Sequence, residues 1–235
     1  LAPGFLAQLR EATQRHGVLL IFDEVVTGFR ISPGGAQKLY NVLPDLTCLA
    51  KVLAGGLPGG AVAGRRDILS LMEFRADMEW NFGRRVFHPG TFNANPLSAA
   101  AGAAALAFLA DGKPQAHADA MTAPLVQGMN AVIEEKGIAG CVYGFSSMFH
   151  IVLGKECPRP HDGIEWPIEA ANGVPPPRME LEVALALRLG CLNHGVDLMG
   201  LGGGLVSAVH QPGDIDATVE AFAATLDDMR AEGIV

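Results

Sequence analysis

The chain has 235 residues, of which 49% are hydrophobic and 6% aromatic, so small aliphatic residues carry most of the burial. This length suffices for one large domain or two small ones, and the composition suits closely packed α/β structure. The formal net charge of -8 argues against a nucleic-acid surface, because neutralising phosphates requires clustered Lys and Arg.

The cysteines do not form a metal-binding pattern. None of the four is spaced as CxxC, so the sequence predicts no structural zinc and no other metal site: they are Cys48, Cys141, Cys157 and Cys191. The sequence also has no secretory signal and no apolar run long enough to cross a bilayer. The default expectation is a reducing, cytoplasmic setting without membrane attachment.

The N-terminal region predicts α/β winding. Apolar residues at helical spacing predict a helix over residues 4–15. A continuous apolar run, residues 18–22, follows and ends in Asp23-Glu24. Because the run does not alternate, we expect a strand that is buried on both faces, as in a parallel sheet.

A second strand is predicted over residues 46–50 and ends just before Lys51, and a short one follows at residues 61–63. Asn95-Pro96 is a strong helix start, so we expect a helix to residue 110. Another helix is predicted over residues 116–136.

The composition changes in the last third of the chain. Its predicted elements are strand material at 141–153, a Pro-rich and charged loop at 157–177, a helix at 179–194, a strand at 205–209 and a helix at 214–232, with Asp214 as its cap. We place a domain boundary near residue 113, which predicts an α/β domain over 1–113 and an α+β domain over 114–235.

Two charged side chains follow predicted strands. Asp23 and Lys51 each stand at the carboxyl end of an apolar strand, which is where open α/β sheets bind ligands. A buried amine has a lowered pKa and becomes a nucleophile and proton carrier. The alternatives are structural: Asp23 as a helix cap or salt-bridged core acid, and Lys51 as a lysine extending to the sheet edge. A third candidate, Thr91, precedes a helix start, where phosphates bind, although a threonine there is often only a cap.

Three stretches occur in an order that matches a known family. They are residues 20–30 (LIFDEVVTGFR), 44–51 with 55–58 (PDLTCLAK, GGLP), and 89–96 (PGTFNANP). Together they resemble the class III aminotransferases, which use pyridoxal 5'-phosphate (PLP), and within them the glutamate-1-semialdehyde 2,1-aminomutase-like branch. The resemblance covers about residues 3–110, and the C-terminal third resembles the family's small domain less specifically.

The resemblance implies a fold and a set of roles. The fold would be that of the fold type I PLP-dependent transferases (aspartate aminotransferase-like), with residues 1–113 as part of the large domain and 114–235 as the small one. Lys51 would hold PLP as a Schiff base and move the substrate proton, and Asp23 would pair with the pyridine nitrogen. Val25 would pack on a ring face. Thr91 would reach the cofactor phosphate of a partner subunit, which implies a homodimer.

The activity implied is transfer of an amino group between an amino acid, β-amino acid or amine and a carbonyl acceptor. One alternative is an isomerase, either the aminomutase or a racemase. However, the branch has an acidic residue near the segment 200–204, which here reads GLGGG, and this favours a transaminase. A further alternative is an inactive product, because the family's N-terminal half is missing and we expect the chain to be part of a longer gene product. A soluble α/β domain without a cofactor is the remaining alternative.

Overall fold

The computed structural model consists of two units, Leu1–Gly112 and Lys113–Val235, and describes residues 1–161 and 163–235. Each unit contains its own three-stranded sheet. Among the described residues, no helix is both long enough and apolar enough to cross a membrane.

The first unit combines a small mixed sheet with helices. Its elements are α1 (Phe5–Arg15), β1 (Ile21–Asp23), α2 (Gly35–Leu39), β2 (Leu46–Ala50), β3 (Gly60–Gly64), α3 (Arg66–Leu69) and α4 (Pro96–Leu109). Single helical turns also form at Lys51–Ala54, Ser70–Met72 and Trp80–Arg84. β1 runs parallel to β2, and β3 pairs antiparallel with the other edge of β2.

The sheet of the first unit is covered on one face. Leu20 and Phe22 are buried together with Val42, and Leu6 and Leu9 of α1 pack against them. The prediction of a strand buried on both faces is wrong for this chain. Residues 18, 19 and 21 are exposed, Ile21 by 52%, and the strand begins only at Ile21. A parallel strand needs a covering layer on each face to be fully buried, and here only the α1 face has one.

The second unit has a fuller core. Its elements are α5 (Lys113–Glu135), β4 (Gly140–Phe145), β5 (Met148–Leu153), α6 (Leu181–Asn193), β6 (Gly203–Leu205) and α7 (Pro212–Ala231). β4 and β5 form an antiparallel hairpin, and β6 adds antiparallel to β5. One face of this sheet packs against the three helices. The largest fully buried side chains of this core include Met129, Ile133, Leu153, Leu187, Phe222 and Leu226.

The last strand lies earlier than predicted. The expected strand at 205–209 is wrong, because β6 spans Gly203–Leu205. A Cβ atom on Gly203 would lie 2.6 Å from the carbonyl oxygen of Phe149, and one on Gly204 would lie 2.5 Å from the Phe149 ring. Only glycine permits this close approach to β5, so the strand occupies residues that a propensity argument assigns to a turn.

The start of α7 differs in detail from the prediction. Gln211 rather than Asp214 is the N-cap residue, and Asp214 completes a capping box by accepting a hydrogen bond from the Gln211 backbone N–H at 2.8 Å. Both residues thus satisfy free backbone donors at the helix start.

The predicted loop 157–177 crosses the sheet face that points away from the helices. Residue 162 of this prediction lies outside the described residues, and the described remainder contains no helix or strand. Gly144 N donates to the carbonyl of Ile164 at 2.6 Å, and the Trp166 ring meets Tyr143 edge-on at 5.3 Å between centroids. Because a strand's backbone N–H points along the plane of the sheet, the loop follows the free edge of β4, and its Trp166 ring covers part of the outer face at Tyr143.

Candidate active site

Parallel pairing brings two of the sequence-predicted residues to one edge of the sheet. In the register of β1 and β2, Asp23 lies opposite Cys48. β2 ends two residues later at Ala50, and Lys51 follows it directly. Parallel neighbouring strands lie about 5 Å apart. Asp23 and Lys51 therefore stand at the same edge of the sheet, at the carboxyl ends of adjacent strands, with Lys51 three residues beyond the register partner of Asp23. Ligands of open α/β sheets bind at this edge.

The Asp23 carboxylate is oriented by the backbone that follows it. Its Oδ1 accepts a hydrogen bond from the N–H of Val25 at 3.1 Å, in the Asx-turn arrangement. Asp23 is exposed in this chain rather than enclosed at the end of a buried strand. The carboxylate thus keeps capacity to accept a further donor, as pairing with a protonated pyridine nitrogen requires. Val25 is half-buried and directly adjoins this turn.

Glu24 is a positioning residue that sequence reasoning missed. Its side chain is 1% exposed and accepts hydrogen bonds from the backbone N–H groups of Ala36 at 2.6 Å and Gln37 at 3.1 Å. Thr27 Oγ1 donates to it at 3.1 Å. A carboxylate that receives several donors locks the segment after β1 to the start of α2. The acidic pair Asp23-Glu24 after an apolar run was the available signal for it.

Close packing of glycine keeps Glu24 in place. Gly35 has φ 64°, and a Cβ there would lie 2.1 Å from Glu24 Oε2. A Cβ on Gly28 would lie 2.7 Å both from the carbonyl of Glu24 and from the Leu49 side chain of β2. Both glycines therefore allow the segment 24–35 to fold back against the sheet.

Lys51 occupies a strained backbone position. Its φ is 51°, in the left-handed region that side chains other than glycine rarely adopt, and it begins the turn Lys51–Ala54. Such strain costs about 1–3 kcal/mol and clusters at functional sites. The side chain is exposed, so the expectation of a buried lysine is wrong for this chain. Among the described residues, no hydrogen bond or ion pair to its Nζ is found.

Helix α4 packs directly on the turn that carries Lys51. A Cβ on Gly102 would lie 2.5 Å from the Leu53 carbonyl, and one on Gly55 would lie 2.5 Å from the Ala101 carbonyl. Ser98 Oγ also donates to the Pro58 carbonyl at 2.7 Å. The small residues of α4 thus allow backbone-to-backbone contact that supports the Lys51 turn from behind.

Thr91 lies on a different segment from the other three candidates. It is exposed in the turn before α4, and Asn95 caps that helix by accepting from Leu97 N at 3.0 Å and Ser98 N at 3.2 Å. Thr91 is therefore not the helix cap. Because Asn95 occupies two helix N–H groups, a phosphate held by Thr91 would be bound by the turn itself rather than by the end of α4.

A cleft adjoins this turn. It has a volume of about 750 Å³, and its lining includes Leu53, Gly59, His88, Phe92 and Asn93. Phe92 and Asn93, the two residues that follow Thr91, thus line the same cleft as the segment that follows Lys51. No contact of Thr91 itself with Asp23, Val25 or Lys51 is found in the described part of the chain. Nor do three or more His, Cys, Asp or Glu side chains form a metal-binding group there.

The arrangement fits PLP chemistry. An amine able to bond the cofactor aldehyde and a carboxylate able to pair with the ring nitrogen both lie at the carboxyl edge of one α/β sheet. Together, fold and site define a lysine-bearing α/β domain of the kind that PLP-dependent enzymes use.

Comparison with known proteins defines the family. The family model of class III aminotransferases matches residues 1–160, and the chain belongs to this family. It is 33% identical, over 95% of its length, to a glutamate-1-semialdehyde 2,1-aminomutase of Methanosarcina acetivorans and covers 48% of that protein. The chain thus spans about half the length of this curated relative.

Solved structures agree with the family. An omega-transaminase from Sphaerobacter thermophilus superposes with a TM-score of 0.74 at 32% identity, over 97% of this chain and 48% of that one. A transaminase solved with PLP bound gives a TM-score of 0.77 at 29% identity, over 99% and 49%. The predicted resemblance, the fold type I class and PLP as the family's cofactor are confirmed.

Proposed function

We propose that this chain carries the cofactor-anchoring part of a PLP-dependent transaminase. The enzyme would move an amino group between an amino acid, β-amino acid or amine and a carbonyl acceptor. The observation that carries the proposal is the register of β1 and β2, which brings Asp23 and Lys51 to the same sheet edge. We further propose a cytoplasmic location, which rests on the sequence pattern alone.

Each residue has a distinct task in this proposal. When bound, PLP supplies a ring that takes up the electrons released as the substrate Cα loses its proton. Lys51 Nζ would hold the cofactor covalently, and its amine would carry the proton of the substrate Cα. Asp23 keeps the ring nitrogen protonated through a charge-assisted hydrogen bond. Val25 presents an apolar face to the ring, and Glu24 fixes the backbone that orients both.

Aminomutase activity is supported about as well. The curated relatives matched at 33–46% identity are glutamate-1-semialdehyde 2,1-aminomutases, whereas a structural neighbour at 32% identity is an omega-transaminase. The segment 200–204, GLGGG, contains no acidic residue. That segment favours the transaminase, because an acidic group expected of the aminomutase branch is missing there.

Thr91 and its neighbours support a homodimeric enzyme. Three phenylalanines around Thr91 are strongly exposed: Phe82 by 85%, Phe87 by 71% and Phe92 by 67%. Exposed aromatic groups that cluster in sequence are typical of protein interfaces. A second copy covering them would bring the Thr91 hydroxyl towards the partner's cofactor phosphate.

The remaining alternative is an inactive product that needs another chain. The exposed face of β1 and the exposed side chains of Asp23 and Lys51 are compatible with a site that further polypeptide completes. Such a product would bind no PLP on its own but would do so once the rest of the enzyme is present.

Donor-dependent spectroscopy separates these functions. The purified protein is mixed with PLP, and its visible absorption is followed as a panel of amino donors is added with and without a keto-acid acceptor. A transaminase should convert about one equivalent of donor per site without an acceptor and turn over repeatedly only when an acceptor regenerates the cofactor, whereas an aminomutase should turn over glutamate-1-semialdehyde without one. A protein that binds PLP yet reacts with no donor would contradict both activities.

A further inference from the structure

Two cysteines far apart in sequence meet on the outer face of the second unit's sheet. The chain leaves β5 beside the start of β4, where Gly154 N donates to the Ala139 carbonyl at 2.8 Å. It then reverses direction, and Arg159 Nε donates to the Gly140 carbonyl at 3.1 Å. This path brings Cys157, two residues before Arg159, over Cys141 at the beginning of β4.

The two thiols are neighbours but differ in access to solvent. Their side chains lie close enough for each thiol to shift the pKa of the other. Cys141 is fully buried in its strand, whereas Cys157 is half-buried. Cys157 also lines an open cavity of about 470 Å³ together with Glu156, Arg159 and His161. A small oxidant can therefore reach Cys157 while Cys141 stays protected behind it.

The surroundings favour a thiolate at Cys157. The neighbouring Cys141 thiol lowers the pKa of Cys157, and the Arg159 guanidinium lowers it further, against the opposing effects of burial and the Glu156 carboxylate. Glu134 offsets Arg159 only weakly, since their charged atoms are 3.8 Å apart. Proximity to Cys157 and burial raise the pKa of Cys141, which favours its thiol form. Low-pKa thiols that solvent can reach are the ones that peroxides oxidise.

We propose that Cys157 and Cys141 form a peroxide-responsive dithiol that closes into an intramolecular disulfide. The Cys157 thiolate attacks hydrogen peroxide, the O–O bond breaks, and Cys157 becomes a sulfenic acid as hydroxide leaves. The Cys141 sulfur then displaces the sulfenic oxygen and loses its proton, which forms the S–S bond and releases water. Overall, two thiols and one peroxide give one disulfide and two waters.

Closure would tie the loop to the sheet. Cys141 sits in a regular strand, but Cys157 lies in a segment without helix or strand, so the loop can supply the small movement that bond formation requires. The bond would hold the N-terminal part of the loop against β4. This modification does not depend on PLP or on amino-group transfer, so failure of the proposed function would leave it intact.

Peptide mapping tests the proposal directly. The reduced protein is treated with increasing hydrogen peroxide, blocked with N-ethylmaleimide and digested with trypsin without reductant. Cleavage after Lys155 separates the two cysteines, so the peptides 137–155 and 156–178 stay joined only if the disulfide has formed. We expect this joined pair, which reductant should release.

Variants define each step. Cys157→Ser should abolish the joined pair, and Cys141→Ala should leave a sulfenic acid on Cys157 that dimedone traps. Cys48→Ser, which removes another partly exposed thiol, should leave the pair unchanged. If Cys141→Ala does not fold, peptide mapping of the unaltered protein still shows whether the disulfide forms.

Alkylation rates supply a second measurement. At neutral pH, Cys157 should react with iodoacetamide about tenfold faster than the buried Cys191, and Arg159→Gln should slow Cys157 about threefold. Finding Cys157 still free, or oxidised to the sulfinic acid without a link to Cys141, would overturn the proposal.

Discussion

The fold orients Asp23 and Lys51 by different means. Asp23 is held by a hydrogen bond from the next turn and by its buried neighbour Glu24. Lys51 is held by a strained left-handed backbone that α4 supports. Chemistry at Asp23 should therefore be separable from folding by a side-chain change that keeps the hydrogen bond.

Asp23→Asn is that change. The amide oxygen can still accept from Val25 N–H, but the charge that would keep the cofactor ring protonated is lost. We expect PLP to remain bound while turnover falls by about two orders of magnitude or more. Asp77→Asn is the matched control, because the Asp77 carboxylate also accepts a nearby backbone hydrogen bond, from Trp80 N at 3.2 Å. The test is to measure kcat for both variants with the same donor. Near-normal turnover of Asp23→Asn would refute the role of Asp23 in keeping the ring nitrogen protonated.

Thr91→Ala tests the proposed phosphate contact. Loss of one hydroxyl should weaken PLP affinity about tenfold, as expected for one hydrogen bond to a charged group, and leave kcat at saturating PLP nearly unchanged. Thr91→Ser keeps the hydroxyl and should bind as the parent does. Equal PLP affinity in the two variants, measured by cofactor titration, would remove Thr91 from the site.

The contact between helix α4 and the Lys51 turn is possible because residue 102 is a glycine and has no side chain. Gly102→Ala places a methyl group 2.5 Å from the Leu53 carbonyl, and overpacking of this kind costs about 1–3 kcal/mol. We expect a lower Tm together with weaker PLP retention. Gly83→Ala is the control, because nothing lies within 4 Å of its Cβ position. An unchanged Tm for Gly102→Ala would mean that α4 does not support the turn.

Asp45 makes the pairing of β1 and β2 sensitive to acid. It accepts from Leu20 N at 2.8 Å and forms ion pairs with Arg65 at 2.8 Å and Arg10 at 2.9 Å. The Leu20 N–H first, then Arg65 and Arg10, hold the pKa of Asp45 well below its usual range. Because the folded pKa is depressed, this stabilisation is present above the unfolded value of about 3.9 and is lost as the pH falls below it.

Thermal unfolding at several pH values tests whether stability falls with pH as the ionisation of Asp45 predicts. Asp45→Asn should lower the Tm at pH 7 and reduce the further loss of Tm between pH 5 and pH 3. Glu11→Gln, which removes an exposed ion pair with Arg15, should change little. We expect the Tm of the parent protein to fall more steeply in acid than the Tm of Asp45→Asn. Equally steep falls would contradict the stabilising role of ionised Asp45.

The sequence predicts correctly the elements whose bounds are set by neighbouring residues. β2 has the predicted bounds, because an apolar run ends at Lys51 and its glycine-rich turn, and α4 begins after the predicted Asn95 cap. Helix α2 is missed because its first turn is held by Glu24, twelve residues earlier. β6 is misplaced because Gly203 and Gly204 become strand only against Phe149. Such long-range contacts leave no local pattern.

The same distinction applies to the site. The sequence predicts that Asp23 and Lys51 lie at the same edge of the sheet, because both follow apolar strands. The parallel register of β1 and β2 places both residues at the carboxyl edge. Exposure of these residues is not predictable from the run itself, since it depends on what covers the second face of the sheet. The meeting of Cys141 and Cys157 likewise depends on the return path of the loop after β5.

At the scale of the molecule, the two units differ in how much core they contain. The large buried cluster lies entirely within Lys113–Val235, whereas the buried cluster of Leu1–Gly112 contains Leu20, Phe22 and Val42. We therefore expect residues 113–235, expressed alone, to unfold cooperatively on heating, and residues 1–112 alone not to. Circular dichroism melts measure this, and a gradual, non-cooperative melt of 113–235 would contradict it.

Covalent mapping tests whether Lys51 holds the cofactor. The protein is incubated with PLP, reduced with borohydride and digested, and the phosphopyridoxyl group is located by mass spectrometry. We expect the group on Lys51, its loss in Lys51→Ala and its retention in Lys38→Ala. Attachment to another lysine, or persistence of specific labelling in Lys51→Ala, would contradict the assignment of Lys51.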